Sequence, residues 1–70
     1  MLEKDLAIND IWESVNGNYF LKISDEYSLA LGNMDLNKIE LVDLLGCKLT
    51  PANDVSPVEK IGSIKIKIIT

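Results

Sequence analysis

The chain has 70 residues, of which 47% are hydrophobic and 26% are charged, and its formal net charge is −4. This length indicates a single domain with a small core, and the composition excludes a disordered chain. With one cysteine and no histidine in the chain, an internal disulfide is excluded and a structural zinc site is not expected.

The charged residues argue against nucleic-acid binding. All seven basic residues are lysine, whereas arginine is the side chain best suited to bidentate recognition of phosphate and guanine. Residues 1–43 contain nine acids and three lysines, while residues 44–70 contain two acids and four lysines. This asymmetry indicates either scatter in a short sequence or a polar molecule that meets a basic partner with one face or stacks head to tail.

The sequence predicts a cytoplasmic protein without a membrane span. No apolar run approaches the roughly 20 residues that a spanning helix needs, and the first residues lack the basic and apolar regions of a signal peptide. The lone thiol of Cys47 suits a reducing compartment. A composition rich in Ile, Asn and Lys suits an AT-rich bacterium or its phage.

Residues 11–23 predict a β-hairpin. Asn16 and Gly17 lie between two β-prone runs, and both residue types tolerate positive φ. A competing prediction treats residues 2–15 as one amphipathic helix that ends at Asn16-Gly17.

Two registers are open for this hairpin. A two-residue turn would pair Val15 with Asn18, whereas a three-residue loop would pair Val15 with Tyr19. We favour the second register on burial grounds. It gathers one set of apolar side chains on one face: Ile11, Val15, Tyr19, Leu21 and Ile23. Trp12 and Phe20 then share the opposite face.

Residues 27–31 alternate between apolar and small residues and predict a third antiparallel strand. Residues 35–45 predict the main helix, in which Asp35 caps the start and Gly46 follows the end. Its apolar residues recur every three positions, at Leu36, Ile39, Val42 and Leu45.

The remaining residues predict shorter elements. Residues 47–55 fit a loop or a short strand, and Ser56-Pro57 has the form of a capping signal for one helical turn that ends at Gly62. Residues 63–69 alternate Ile and Lys and predict a C-terminal strand. The sequence thus predicts a single α+β domain over residues 1–70. It would be a small antiparallel sheet of hairpin 11–23, strand 27–31 and strand 63–69, with the main helix 35–45 packed on it.

No arrangement of residues predicts catalysis. Without histidine the chain lacks the usual general base at neutral pH, and its isolated glycines form no phosphate-binding loop. The adjacent carboxylates Asp25 and Glu26 fit a solvated turn. We therefore expect no enzyme, no cofactor and no metal site.

The candidate partner contacts are Trp12, Phe20, Asp25, Glu26, Lys65 and Lys67. An aromatic pair on the back of the hairpin fits core packing or an interface, where aromatic residues are enriched. Lysines that alternate on a final strand either deter edge pairing or flank a strand that accepts a partner.

We therefore expect a non-enzymatic protein–protein interaction module: a small acidic regulator, inhibitor or adaptor whose partner is another protein or a second copy of itself. One alternative is a structural homo-oligomer assembled through edge strands. Another is a small β-barrel that binds single-stranded nucleic acid.

Overall fold

A computed structural model of the chain describes residues 1–32, 34–37 and 39–63. Across these residues it has a 3₁₀ turn at Glu3–Asp5, five strands and one α-helix. The strands are β1 (Asp10–Glu13), β2 (Tyr19–Lys22), β3 (Tyr27–Gly32), β4 (Lys48–Pro51) and β5 (Glu59–Ser63), and the helix α1 is Leu41–Leu45.

The five described strands form one antiparallel sheet in the order β4-β3-β2-β1-β5. Strands β1 to β4 follow one another as a meander, and β5 then pairs with β1 at the far side of the sheet. The connection from β4 to β5, residues 52–58, must therefore cross the sheet. Within the described residues β4 and β5 are the two edges.

The predicted α+β fold, with one main helix on the sheet, is wrong. The helix expected over 35–45 is limited to Leu41–Leu45. Glu40 has an extended backbone (φ −106°, ψ 159°) and its N–H donates to Oδ2 of Asp43 at 3.1 Å, an interaction that marks the start of a helix, so the helix begins only at Leu41. The apolar residues before the helix pack against the core from an irregular segment instead: Met34, Leu36 and Ile39. Of the four residues in the predicted apolar stripe, Leu36 and Ile39 pack against the core, whereas Val42 and Leu45 are 67% and 81% exposed.

The chain after α1 is more extended than predicted. Residues 48–51 form β4, within the region that fitted a loop or a short strand. The helical turn predicted after Ser56 is wrong because Glu59–Ser63 is β5. Pairing with β1, with one irregularity between Ile11 and Trp12, gives these residues backbone hydrogen bonds along one side of the strand, whereas a single helical turn is costly to nucleate. Apart from Ser63, the predicted strand 63–69 lies outside the described residues.

The hairpin is present, but both predicted registers are wrong. Trp12 pairs with Phe20, and the N–H of Ser14 donates to the carbonyl of Asn18 at 2.9 Å, so residues 15–17 form the loop. Gly17 has φ of +80°, and a three-residue hairpin loop takes its glycine at this last position. The competing helix over 2–15 is also wrong, since this region contains β1.

One face of the sheet carries the hydrophobic core. Its buried members are Ile11, Leu21, Leu31 and Leu44, the last from α1. Partly buried side chains of Met34, Leu36, Ile39 and Cys47 pack against these residues. Val15, which the sequence placed in this core, is 70% exposed because it lies in the hairpin loop.

The opposite face is covered by the N-terminal segment, residues 1–9. Glu3 and Leu6 of this segment are buried. The buried Lys22 of β2 holds the segment on the sheet, because its Nζ donates to the carbonyls of Glu3 (3.1 Å) and Leu6 (2.8 Å). The sheet therefore has the N-terminal segment on one face and α1 on the other.

Candidate interaction groove

Trp12 of β1 and Phe20 of β2 stack on the face that the N-terminal segment covers. They are direct cross-strand partners, so both side chains leave the same face of the sheet. Their ring centroids are 4.3 Å apart and their planes differ by 15°. Trp12 is buried and Phe20 is half-buried.

A chain of hydrogen bonds fixes the position of Trp12. Its Nε1–H donates to Oγ of Ser28 at 3.2 Å, and the Ser28 hydroxyl donates to Oε1 of Glu3 at 2.7 Å. The other oxygen of Glu3, Oε2, accepts the backbone N–H of Asn53 at 2.8 Å. Ser28 and Glu3 are both buried. Since each member has its partner, this network holds the indole ring in one orientation.

A cavity of about 230 Å³ opens beside the stacked rings. Its apolar lining residues are Trp12, Val15, Phe20, Pro51, Pro57 and Val58. The other residues that line it are polar, and among the described lining residues only Glu3 is charged. Sites for drug-sized ligands usually have about 300–1,000 Å³, so this cavity fits one or two side chains of a partner better.

A second cavity, of about 220 Å³, adjoins the first. The two cavities share one wall: Ser14, Val15, Pro57 and Val58. Glu13 and Glu59, which also line the second cavity, are direct partners across β1 and β5. We call the two cavities together the aromatic groove.

The wall of the aromatic groove is built by residues far apart in the chain. The hairpin loop places Val15 at one rim. The connection from β4 to β5 brings Pro57 and Val58 to the N-terminal segment, where Pro57 bridges to Leu2. The N–H of Val58 donates to the carbonyl of Met1 at 2.8 Å. The two chain segments therefore support each other beside the aromatic rings.

The structure brings together two of the residues selected from the sequence, Trp12 and Phe20. Asp25 and Glu26 lie in the exposed turn between β2 and β3 and do not line the groove. Oδ1 of Asp25 is 3.8 Å from Nζ of the buried Lys22, and because the Asp25 side chain is 93% exposed, solvent screens this contact. Lys65 and Lys67 lie outside the described residues.

Sequence reasoning selected none of the other residues that line the groove, among them Glu3, Val15, Pro57 and Val58. Glu3 resembles any surface acid in the sequence, and no local pattern connects residues 57–58 with the hairpin. The sequence contained one signal for such residues. Because Trp12 and Phe20 were predicted to lie on the face opposite the main core, some other part of the chain was needed to cover their apolar rings.

The described residues contain no group of three or more His, Cys, Asp or Glu side chains placed to hold a metal ion. In the same part of the chain, no helix has the length and apolar character needed to cross a membrane. Comparison with known proteins gives no match, whether to a family model, a curated protein or a solved structure.

Proposed function

We propose that this protein is a non-enzymatic protein–protein interaction module, a small acidic regulator, inhibitor or adaptor, that binds a partner segment in the aromatic groove. The observation that carries the proposal is the groove itself, with its fixed aromatic floor and polar rim. Aromatic side chains in such settings contribute most of the binding energy at many interfaces. Because hydrogen bonds to Ser28 and Glu3 already hold the Trp12 ring in one orientation, the ring loses little conformational entropy when a partner binds.

The lining residues support binding rather than catalysis. Both carboxylate oxygens of Glu3 accept hydrogen bonds from the fold, and the chain has no histidine to transfer protons at neutral pH. We place the protein in the cytoplasm, because Cys47 is a free thiol and free thiols persist in reducing compartments.

The two alternative functions receive less support. Carboxylates along the groove repel phosphate, which disfavours single-stranded nucleic acid as the occupant. At the β4 edge, the strand has only four residues and has Lys48 and Pro51 at its ends. Short length, lysine and proline all protect an edge from pairing with another chain.

The proposal can be tested by selecting a phage-displayed library of random peptides on the purified protein. Binding of selected peptides is measured by the fluorescence of Trp12, the only tryptophan in the chain. Val15→Lys should weaken binding about tenfold or more, because an ammonium group at the rim must be desolvated when the groove fills. Val42→Lys is the matched control, since Val42 lies on α1 and has a similar exposure, 67% against 70% for Val15.

Peptides that bind the wild-type protein and the Val42→Lys variant equally well, but not the Val15→Lys variant, would support the proposal. A selection that yields no peptide sensitive to Val15→Lys would overturn it. Circular dichroism of both variants checks that they keep the fold of the wild-type protein.

A further inference from the structure

We infer that the partner segment is an extended basic peptide. One of its apolar side chains enters the cavity over Trp12 and Phe20, and a nearby lysine or arginine lies against Glu13 and Glu59. This inference rests on the proposed function and specifies its partner.

The charge of the groove supports a basic occupant. Three glutamates line it, and no lysine is found among its described lining residues. Lys60 follows Glu59 in β5, but its Nζ is 3.5 Å from Oδ2 of Asp10, so its charge is already paired elsewhere. Within the described part of the chain neither Glu13 nor Glu59 forms an ion pair.

The position of these two glutamates is unfavourable in the free protein. Glu13 and Glu59 face each other directly across β1 and β5, and like charges at such positions destabilise a sheet. A cationic side chain bound between them would replace this repulsion with attraction. The second cavity is therefore suited to the charged end of a lysine or arginine.

The shape and rim of the groove support an extended backbone. The two cavities share four lining residues, and the side chains of Trp12 and Glu13 leave opposite faces of β1 because they are successive residues of one strand. Successive side chains of an extended segment also point to opposite sides, with about 3.3 Å of rise per residue, so such a segment crossing the shared wall can reach both cavities. Neutral polar residues surround the first cavity: Ser14, Asn16, Asn18, Thr50, Asn53 and Ser56. These residue types can hydrogen-bond the N–H and carbonyl groups that an extended peptide leaves free.

The peptides selected on the wild-type protein test this inference, because their sequences report the preference of the groove. We expect Lys or Arg to be enriched within one or two positions of an aliphatic or aromatic residue. For a synthetic copy of one such peptide, the affinity should fall as salt rises from about 50 to about 300 mM. Glu13→Gln and Glu59→Gln should each weaken binding about two- to fivefold, while Glu26→Gln on the remote turn should not change it.

A double-mutant cycle completes the test. Replacing the peptide's basic residue with Gln should weaken binding to the wild-type protein but have little further effect on the Glu13→Gln/Glu59→Gln double variant, which has neither carboxylate. Urea unfolding should show that Glu13→Gln and Glu59→Gln are no less stable than wild type, because each removes a like-charge contact.

Selected peptides that depend on Val15 but show no basic enrichment and bind the glutamine variants unchanged would overturn this inference and leave the proposed function standing. If no selected peptide depends on Val15, the proposed function fails together with the inference. Association of the protein with itself through the groove, seen as a dimer by sedimentation that Val15→Lys disrupts, would also overturn the peptide assignment.

Discussion

Asp10 connects three parts of the molecule through one carboxylate. Its Oδ1 accepts a hydrogen bond from the hydroxyl of Ser63 at 2.7 Å, and its Oδ2 accepts the N–H of Ala7 at 2.8 Å. The hydrogen bond from Ser63 is the main cause that holds the pKa of Asp10 below its ordinary value of 3.8, with further help from Ala7 and Lys60 and against the opposing effect of burial. The ionised carboxylate thus ties the N-terminal segment and β5 to β1.

A lowered pKa in the folded state makes Asp10 a source of acid sensitivity. Its stabilising effect is fully present above the ordinary pKa of 3.8 and is lost as pH falls through the lower folded-state pKa. Asp10→Asn should therefore lower the free energy of unfolding at pH 7 and reduce its decline below about pH 4. Urea unfolding at a series of pH values, followed by Trp12 fluorescence, measures both effects. An Asp10→Asn variant with the same acid decline as the exposed-site control Asp54→Asn would contradict this explanation.

At the scale of elements, α1 exists because of its tertiary contacts. A helix of five residues is far below the length at which isolated helices are stable in water. Its Leu44 is 7% exposed and belongs to the core of the sheet, whereas the next residue, Leu45, is 81% exposed. The packing of Leu44 in the core therefore holds α1 against the sheet, whereas the side chain of Leu45 faces solvent.

Adjacent leucines make a matched pair for testing this attachment. Leu44→Ala should lower the free energy of unfolding by about 2–4 kcal/mol, since it leaves a cavity in the core. Leu45→Ala should change it by less than about 0.5 kcal/mol. Chemical denaturation of the two variants against wild type gives both values, and similar losses from the two substitutions would show that α1 is not held through Leu44.

At the scale of the whole molecule, the N-terminal segment works as a second layer. The main core lies on one face of the sheet, and residues 1–9 close the other with a network of polar contacts. Glu3 joins β3 through Ser28 and the connection between β4 and β5 through Asn53. Because the network also orients Trp12, stability and the shape of the groove are coupled.

Removing the buried carboxylate tests this coupling. Glu3→Ala should lower the free energy of unfolding by about 2–3 kcal/mol, because the partners on Ser28 and Asn53 lose a charged acceptor. Glu3→Gln should cost less, since its amide oxygen can still accept one of the two hydrogen bonds. Fluorescence of Trp12 reports both unfolding and any change in the groove. The exposed-site control Glu26→Ala should unfold at the same urea concentration as wild type, and an unchanged Glu3→Ala variant would refute the structural role of the network.

Local chemistry explains which parts of the fold were predictable. The hairpin signal at Asn16-Gly17 and the alternation after Tyr27 involve neighbouring residues, and both strands of the hairpin and β3 are present. The predicted helix 35–45 is wrong because Glu40 is extended and begins the helix only at Leu41, an outcome that the apolar spacing does not encode. For the groove, the sequence separated Trp12 and Phe20 from the core face but could not identify what lies beside them.

By itself, the sequence determined the turn at Gly17, the common face of Trp12 and Phe20, and the lack of histidine and of a second thiol for catalysis or zinc. These properties depend on composition or on residues close together in the chain. Only the tertiary structure decided the length of α1, the pairing of β5 with β1 and the groove. Each of these depends on contacts between segments tens of residues apart, whose free energies exceed the local preferences of the chain once the sheet has formed.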